Sequence, residues 1–116
     1  MNYDGAATDF YSNYTTTAFN TPTYTASGMF GQGLTFNGTN QYLTLNGANI
    51  TWNQFTFPGW AYPNSSANWP RLFDFGNSTD SYFFLTPNSG ITTLRFGIKA
   101  PGQTEQPIDA GIPLQN

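Results

Sequence analysis

Short apolar runs alternate with polar turns along most of the chain. In residues 92–99 the apolar side chains of Leu94, Phe96 and Ile98 recur at every second position. Alternation with a period of two is typical of a strand that turns one face toward a core. Similar runs predict further strands at 34–36, 42–45, 55–62, 71–75 and 82–86. No segment has the spacing and caps of an amphipathic helix, so the pattern predicts an all-β, antiparallel fold.

The dipeptide Asn37-Gly38 predicts a tight hairpin that joins 34–36 to 42–45. Both residues tolerate the positive φ angles that two-residue hairpin turns require. In the predicted strand 55–62, apolar side chains occur on both faces, which is typical of an internal strand. Pro58 has no backbone N–H to donate within a sheet, and it predicts either a bulge or a shifted register at this point.

These elements predict a single domain over residues 1–116. Residues 1–27 are expected to be a loop-rich N-terminal segment with room for one short strand, and residues 100–116 a loop-rich C-terminal tail. In the strand at 92–99, the three apolar side chains are expected to point inward, and Arg95, Gly97 and Lys99 outward. The predicted core consists of apolar residues on the strands: Leu34, Phe36, Leu43, Phe57, Trp60, Phe73, Phe75, Leu85, Leu94 and Phe96.

Four segments together resemble a known family. The segments are 55–63, 71–76, 82–85 and 94–96. Their residues and order are similar to those of the laminin-G-like, concanavalin A-like jelly rolls found in bacterial and viral surface proteins. The resemblance implies a jelly-roll-like β-sandwich and a place outside the cell, on a cell surface or on the exterior of a virion. Family members continue with further strands, so we expect this sandwich to be incomplete and to be completed by C-terminal strands of a longer protein or by a neighbouring chain.

Charge is scarce in this chain, whereas aromatic residues are abundant. There are 3 basic and 6 acidic residues, a net charge of -3 and an aromatic fraction of 18%. Three basic residues are too few for a phosphate-binding patch, so neither nucleic acid nor an anionic membrane is an expected partner. No apolar run approaches the ~20 residues of a transmembrane helix, so membrane insertion is not expected. The absence of cysteine excludes disulfides and zinc–thiolate sites.

The sequence gives little basis for catalysis. It contains no histidine, which excludes a histidine general base and a serine–histidine pair. Glycosidases of the resembled fold carry carboxylates at alternate positions of one strand, and here no two carboxylates are two residues apart. We therefore predict that the protein is not an enzyme.

Carbohydrate binding needs an aromatic ring for the apolar face of a sugar and polar groups for its hydroxyls. Asn68 and Trp69, in the predicted loop 63–70, have this character, and Tyr82 and Trp52 are further candidates. The alternative interpretation is that Trp52 and Trp69 pack beneath loops at the rim of the sandwich.

Calcium is the one cofactor that the sequence leaves open, because loop carboxylates and amides supply the hard oxygen ligands that it prefers. The candidate ligands are Asp80, Asn77 and Asp4. The alternative is that Asp80 is a turn residue that binds nearby backbone. Asp74 lies within an apolar strand, and we expect Arg71 or Arg95 to pair with it.

Five Asn-x-Ser/Thr sequons are present, at Asn13, Asn37, Asn49, Asn64 and Asn77. They are either N-glycosylation sites of an exported protein or chance products of a chain rich in Asn, Ser and Thr. The predicted function is a non-catalytic extracellular recognition or adhesion module that binds carbohydrate, with a glycan as its partner. The alternative is a structural subunit of a virion or extracellular filament, which assembles with other protein subunits through its β-sandwich edges.

Overall fold

The computed structural model describes residues 14–46, 54–64, 67, 69–91, 93–112 and 114. These residues contain strands and no helix, and every ladder is antiparallel, so the all-β prediction is confirmed. The chain divides into two units, Met1–Trp60 and Ala61–Asn116. The strands are β1 Thr15–Phe19, β2 Thr23–Thr25, β3 Gly33–Thr35, β4 Tyr42–Asn46, β5 Phe73–Asn77, β6 Ser81–Thr86, β7 Arg95–Lys99 and β8 Gln106–Asp109.

The first unit contains two short ladders. Strand β1 pairs with β4, from Thr15 opposite Asn46 to Phe19 opposite Tyr42. Strand β2 pairs with β3. The predicted hairpin is therefore wrong, because the strands at 34–36 and 42–45 pair with earlier strands and not with each other. The segment expected to be loop-rich, 1–27, contributes β1 and β2 to these ladders.

Hydrogen bonds from side chains stabilise the turn between β1 and β2, where the chain passes from one ladder to the other. Asn20 and Thr21 have φ angles of 56° and 49°, a left-handed conformation that turns the chain between β1 and β2. The Gln41 side-chain amide donates hydrogen bonds to both of their carbonyls, at 2.8 and 2.9 Å. In return, the Asn20 amide donates to the Asn40 carbonyl at 2.6 Å. Gln41 thus satisfies the backbone groups that this corner removes from the ladder.

Asn37 explains why residues 36–41 form a wide turn. Its Oδ1 accepts hydrogen bonds from the backbone N–H groups of Thr39, Asn40 and Gln41, at 3.0, 3.1 and 3.3 Å. Gly38 has the positive φ expected of it, 70°. A side chain that caps three amides holds a longer loop than the two-residue turn that the dipeptide predicts.

Residues 54–64 contain no strand, which contradicts the prediction for 55–62. Trp60 is 72% exposed, and Phe57 is exposed as well. Pro58 and Pro63 interrupt this segment, and neither can donate to a ladder. The aromatic residues contact each other instead, with the Phe55 and Phe57 rings 5.4 Å apart.

The second unit contains a four-stranded sheet in the order β5-β6-β7-β8. The strands predicted at 71–75, 82–86 and 92–99 correspond to its first three strands. Strand β8 lies in the region expected to be a loop-rich tail, 100–116, and it adds a strand of 4 residues there. Its four residues are all exposed and only Ile108 is aliphatic, which explains why the alternation signal is weak there.

The two faces of this sheet differ in chemistry. One face carries half-buried apolar side chains, whose rings pack closely: Phe75 and Phe83 are stacked with centroids 5.1 Å apart. The other face carries a row of residues that are opposite one another in the ladders: Asp74, Phe84, Gly97 and Pro107.

The burial of individual residues differs from the predicted core. Phe84 is 3% exposed and is the one buried aromatic side chain among the described residues. Phe36, Phe57 and Trp60 are exposed, which corrects three core assignments. The remaining predicted core residues are half-buried: Leu34, Leu43, Phe73, Phe75, Leu85, Leu94 and Phe96.

The assignment of faces in β7 is also corrected. Gly97, expected to point outward, is buried, and Ile98, expected to point inward, is exposed. The reason lies across the ladder, where the large ring of Phe84 covers Gly97.

Pro107 occupies a specific place in the edge strand β8. Just beyond the β7–β8 ladder, the Ala110 N–H donates to the Leu94 carbonyl at 2.9 Å, so these two positions face each other as a hydrogen-bonded pair would, while the Leu94 N–H donates to the Ile112 carbonyl. Hydrogen-bonded and non-hydrogen-bonded pairs alternate along an antiparallel ladder. The pair of Gly97 and Pro107, three positions further along, is therefore non-hydrogen-bonded, and the Pro107 nitrogen faces away from β7.

Candidate functional site

We call the face of the four-stranded sheet that carries Asp74 and Phe84 the polar face of the second sheet. It carries a stack of three groups, which are the Gly97 backbone at the base, the Phe84 ring and the Arg71 guanidinium. A Cβ atom on Gly97 would lie 2.7 Å from the Cε1 and Cζ atoms of Phe84, which is too close for a real contact. The ring of Phe84 therefore rests directly on the backbone of β7. At Gly76 the neighbouring strand itself comes close, since a Cβ there would lie 2.6 Å from the Tyr82 Cβ and 2.8 Å from the Ser81 carbonyl oxygen.

Arg71 forms the top of this stack. Its guanidinium carbon lies 4.0 Å from the centroid of the Phe84 ring, within the range of a cation–π contact. Its Nε donates to Oδ2 of Asp74 at 3.1 Å, and its Nη1 donates to the Trp69 carbonyl at 3.3 Å. The expectation that Asp74 pairs with Arg71 or Arg95 is confirmed, with Arg71 as the partner.

Trp69 is held at the side of the stack in a strained conformation. Its φ angle is 61°, and its backbone N–H donates to the Asn88 carbonyl at 2.8 Å. A Cβ on Gly90 would lie 2.9 Å from the indole Nε1, so the absence of a side chain there makes room for the ring. The left-handed region costs a bulky residue on the order of 1–3 kcal/mol, and it persists only where surrounding contacts impose it.

The segment that holds Trp69 is itself anchored by buried hydroxyls. The Thr86 hydroxyl is fully buried and donates to the Asn88 carbonyl at 3.0 Å. Ser89 is also buried, and its hydroxyl lies 2.6 Å from that of Thr93. The indole ring nevertheless remains 44% exposed, and it contacts Phe84 edge-on at 6.4 Å.

Tyr82 and Glu105 meet on the other side of Phe84. The Tyr82 hydroxyl donates to Glu105 Oε2 at 2.8 Å, and this hydrogen bond to a carboxylate is the main cause that raises the pKa of Tyr82. Arg95 approaches the other oxygen, Oε1, at 3.5 Å. Glu105 is therefore held between a phenol and a guanidinium.

Arg95 and Asp109 are opposite each other across the β7–β8 ladder. The Nε and Nη2 atoms of Arg95 donate to the two carboxylate oxygens, both at 2.8 Å. This two-pronged hydrogen bond from Arg95 is the main cause that lowers the pKa of Asp109. The Arg95 guanidinium carbon also lies 5.6 Å from the centroid of the Trp69 ring.

Together these side chains surround an open groove of about 260 Å³, which we call the Trp69 groove. It combines aromatic rings, charged groups and small hydroxyl residues. Its lining consists of Trp69, Arg71, Asp74, Ser78, Thr79, Tyr82, Phe84 and Glu105.

The family of the chain follows from its sequence. A family profile described as the concanavalin A-like lectin/glucanases superfamily matches residues 37–116. The chain belongs to this superfamily. The match confirms the laminin-G-like resemblance and, with the antiparallel sheets, assigns the chain to the all-β concanavalin A-like fold. No curated protein and no solved structure matched this superfamily member.

The Trp69 groove of this concanavalin A-like domain brings together two of the predicted carbohydrate-binding residues, Trp69 and Tyr82. The other two, Asn68 and Trp52, lie outside the described residues. Sequence reasoning missed Phe84 and Glu105. Phe84 is two positions from Tyr82 in one strand and so shares its face, which is a signal that the sequence does contain. Glu105 precedes the unexpected strand β8, and nothing local marks it.

Two of the candidate calcium ligands, Asn77 and Asp80, lie at the turn between β5 and β6. Asp80 Oδ1 accepts a hydrogen bond from the Gly102 N–H at 3.2 Å and lies 3.9 Å from the Lys99 ammonium, as a turn residue would. Asn77 ends β5, and Asp4 lies outside the described residues. Among the residues described, no three His, Cys, Asp or Glu side chains are grouped as metal ligands would be. Calcium binding remains a prediction.

The sequons also remain predictions. Asn64 and Asn77 are exposed. The side-chain amide of Asn37 donates to Asn40 Oδ1 at 2.9 Å, in addition to the turn contacts of its oxygen. Asn13 and Asn49 lie outside the described residues. The described part of the chain contains no helix with the length and hydropathy of a membrane span.

Proposed function

We propose that this domain is a non-catalytic carbohydrate-recognition module that acts in adhesion outside a cell or particle, and that the Trp69 groove holds the sugar. The observation that carries the proposal is the strained, half-exposed Trp69 at an open groove lined by hydrogen-bonding groups. Strain of this kind at a surface residue is typical of functional sites.

The chemistry of the groove suits a sugar. The exposed indole offers an apolar surface to the C–H face of a pyranose ring. Around it, the carboxylates of Asp74 and Glu105 accept hydrogen bonds from hydroxyls, and the hydroxyls of Ser78 and Thr79 both donate and accept. Sites that combine apolar walls with a few polar groups are typical of small-ligand recognition.

The carboxylates of the groove support binding rather than hydrolysis. Asp74 is paired with Arg71, and Glu105 accepts from Tyr82 and contacts Arg95. Glycoside cleavage needs one carboxyl group free to protonate the leaving group and a second free to attack or activate water, and here both are engaged by neighbouring side chains. This arrangement favours two fixed acceptors over an acid and a nucleophile.

The experiment is a glycan array probed with wild type and with Trp69→Ala. We expect wild type to bind a set of glycans and Trp69→Ala to lose that binding. Trp60→Ala is the matched control, because Trp60 is also exposed and lies in the other unit of the chain. Arrays with calcium and with a chelator test the predicted cofactor, and chemical denaturation verifies that both variants are folded.

A wild-type protein that binds no glycan in either condition would overturn the proposal. The structural-subunit alternative then gains, since Ile108 in the edge strand β8 is 69% exposed and offers an apolar side-chain contact to a neighbouring chain. Concentration-dependent assembly in sedimentation velocity, weakened by Ile108→Asp, would support that alternative.

A further inference from the structure

We propose that the Trp69 groove selects neutral glycans over anionic ones. This inference rests on the proposed function and adds to it the chemical class of the ligand. It follows from the state of the charged groups on the polar face of the second sheet. Each cation there is already paired, while carboxylates line the groove.

All three basic residues of the chain lie on this face or at its rim, and each has an acidic partner. Arg71 is bound to Asp74 at 3.1 Å, Arg95 to Asp109 at 2.8 Å, and Lys99 lies 3.9 Å from Asp80. With only 3 Lys and Arg residues and no histidine in the sequence, the chain has no further cationic side chain to offer an anionic sugar.

The arginines are also held geometrically. Arg71 is fixed by the Phe84 ring below it, by Asp74 and by the Trp69 carbonyl. Arg95 uses two of its nitrogens on Asp109 and a third on Glu105. To bind a sulfate or carboxylate, either guanidinium would have to leave a partner, and the abandoned carboxylate would then face the ligand.

The carboxylates of Asp74 and Glu105 line the groove beside the paired Arg71. A sugar hydroxyl donates a hydrogen bond to such an oxygen and gains from its charge. An anionic substituent has no proton to donate and is repelled by the same oxygen. The net charge of -3 adds a weaker repulsion over the whole chain.

The test uses a matched pair of oligosaccharides, one composed of neutral hexoses and one with the same linkages in which the hydroxymethyl groups are oxidised to carboxylates. Affinities are measured by calorimetry at low and high salt. We expect the neutral member to bind roughly tenfold or more tightly at low salt, with a preference that shrinks as salt screens the repulsion.

Asp74→Asn is the informative variant, since it removes a carboxylate from the groove and releases Arg71 from its ion pair. We expect it to reduce the preference for the neutral member several-fold. Asp80→Asn is the matched control, because it changes the net charge equally but does not line the groove. It should leave the preference as in wild type.

The possible outcomes separate the two proposals. Equal or tighter binding of the carboxylated member by wild type overturns the inference and leaves the carbohydrate-binding proposal standing. Binding of neither member, in a protein that also binds nothing on the array, overturns the proposed function and the inference with it. An equal loss of preference in Asp74→Asn and Asp80→Asn would also contradict the inference, because it would assign the effect to net charge.

Discussion

The ring of Phe84 lies against the backbone of Gly97, its partner across the β6–β7 ladder, with no space for a side chain between them. This contact supports the rest of the candidate site. Arg71 rests on the outer face of the same ring, and Trp69 contacts its edge. The absence of a side chain at Gly97 therefore determines how closely the Phe84 ring, and with it Arg71, approaches the backbone of β7.

Gly97→Ala tests this contact directly. The new Cβ would lie 2.7 Å from the Phe84 ring, so the ring or the strand must shift. We expect a loss of about 1–3 kcal/mol in the free energy of unfolding, measured by urea denaturation. Gly59→Ala is the control, because a Cβ at Gly59 meets nothing within 4 Å. A variant as stable as the control would contradict the stacked arrangement.

Phe84→Ala tests the identity of the core residue. Phe84 is the most buried aromatic side chain among the described residues, and its removal leaves a cavity beneath Arg71 and Trp69. We expect a cost of about 3–5 kcal/mol in the free energy of unfolding. Ile98→Ala should cost much less, since Ile98 is exposed on the neighbouring strand. The reverse order of the two effects would show that the faces of the sheet are assigned wrongly.

Gln41 is expected to stabilise the corner of the first unit. In Gln41→Ala the carbonyls of Asn20 and Thr21 lose their donor, and we expect a loss of about 1 kcal/mol. Gln103→Ala, an exposed turn position in the second unit, is the control. Equal denaturation midpoints for the two variants would rule out a stabilising role for the Gln41 amide.

Asp109 should make stability dependent on acid pH. Its pKa is lowered below the ordinary 3.8 by Arg95, so the folded state binds protons more weakly than the unfolded state. The stabilisation is complete above the unfolded pKa and is lost as the pH falls through the folded pKa. Denaturation midpoints recorded from neutral pH down to about pH 2 should fall less steeply in Asp109→Asn than in wild type. Parallel pH profiles would exclude the ion pair as a source of stability.

Strand positions could be predicted where the alternation is local and strong. The runs at 71–75 and 92–99 correspond to strands because large apolar side chains recur there at every second position, and 82–86 does so as a short continuous apolar run. The pairing of 34–36 with 42–45 was wrong because pairing depends on contacts remote in sequence. Gln41 and Asn37 stabilise a wide turn, and β1 and β2 provide competing partners.

The site, like the strand pairing, could be predicted only where its residues are marked by their local sequence. Trp69 and Tyr82 were identified because aromatic residues near polar loops are visible in the sequence. Burial of Phe84 depends on a glycine in another strand and an arginine in a preceding loop, and neither is local to it. The aromatic segment 54–64 has the composition of a strand, but its prolines outweigh that composition.

Pro107 has a consequence for the behaviour of the protein at high concentration. Because its nitrogen faces away from β7, the outer edge of β8 lacks one of the backbone N–H donors that a strand of a second copy would need. Edge-to-edge pairing between copies, which can lead to fibrils, is thus weakened at this edge of the sheet. Proline thus protects this edge against strand addition, and its replacement by Val is expected to lower the concentration at which the protein precipitates.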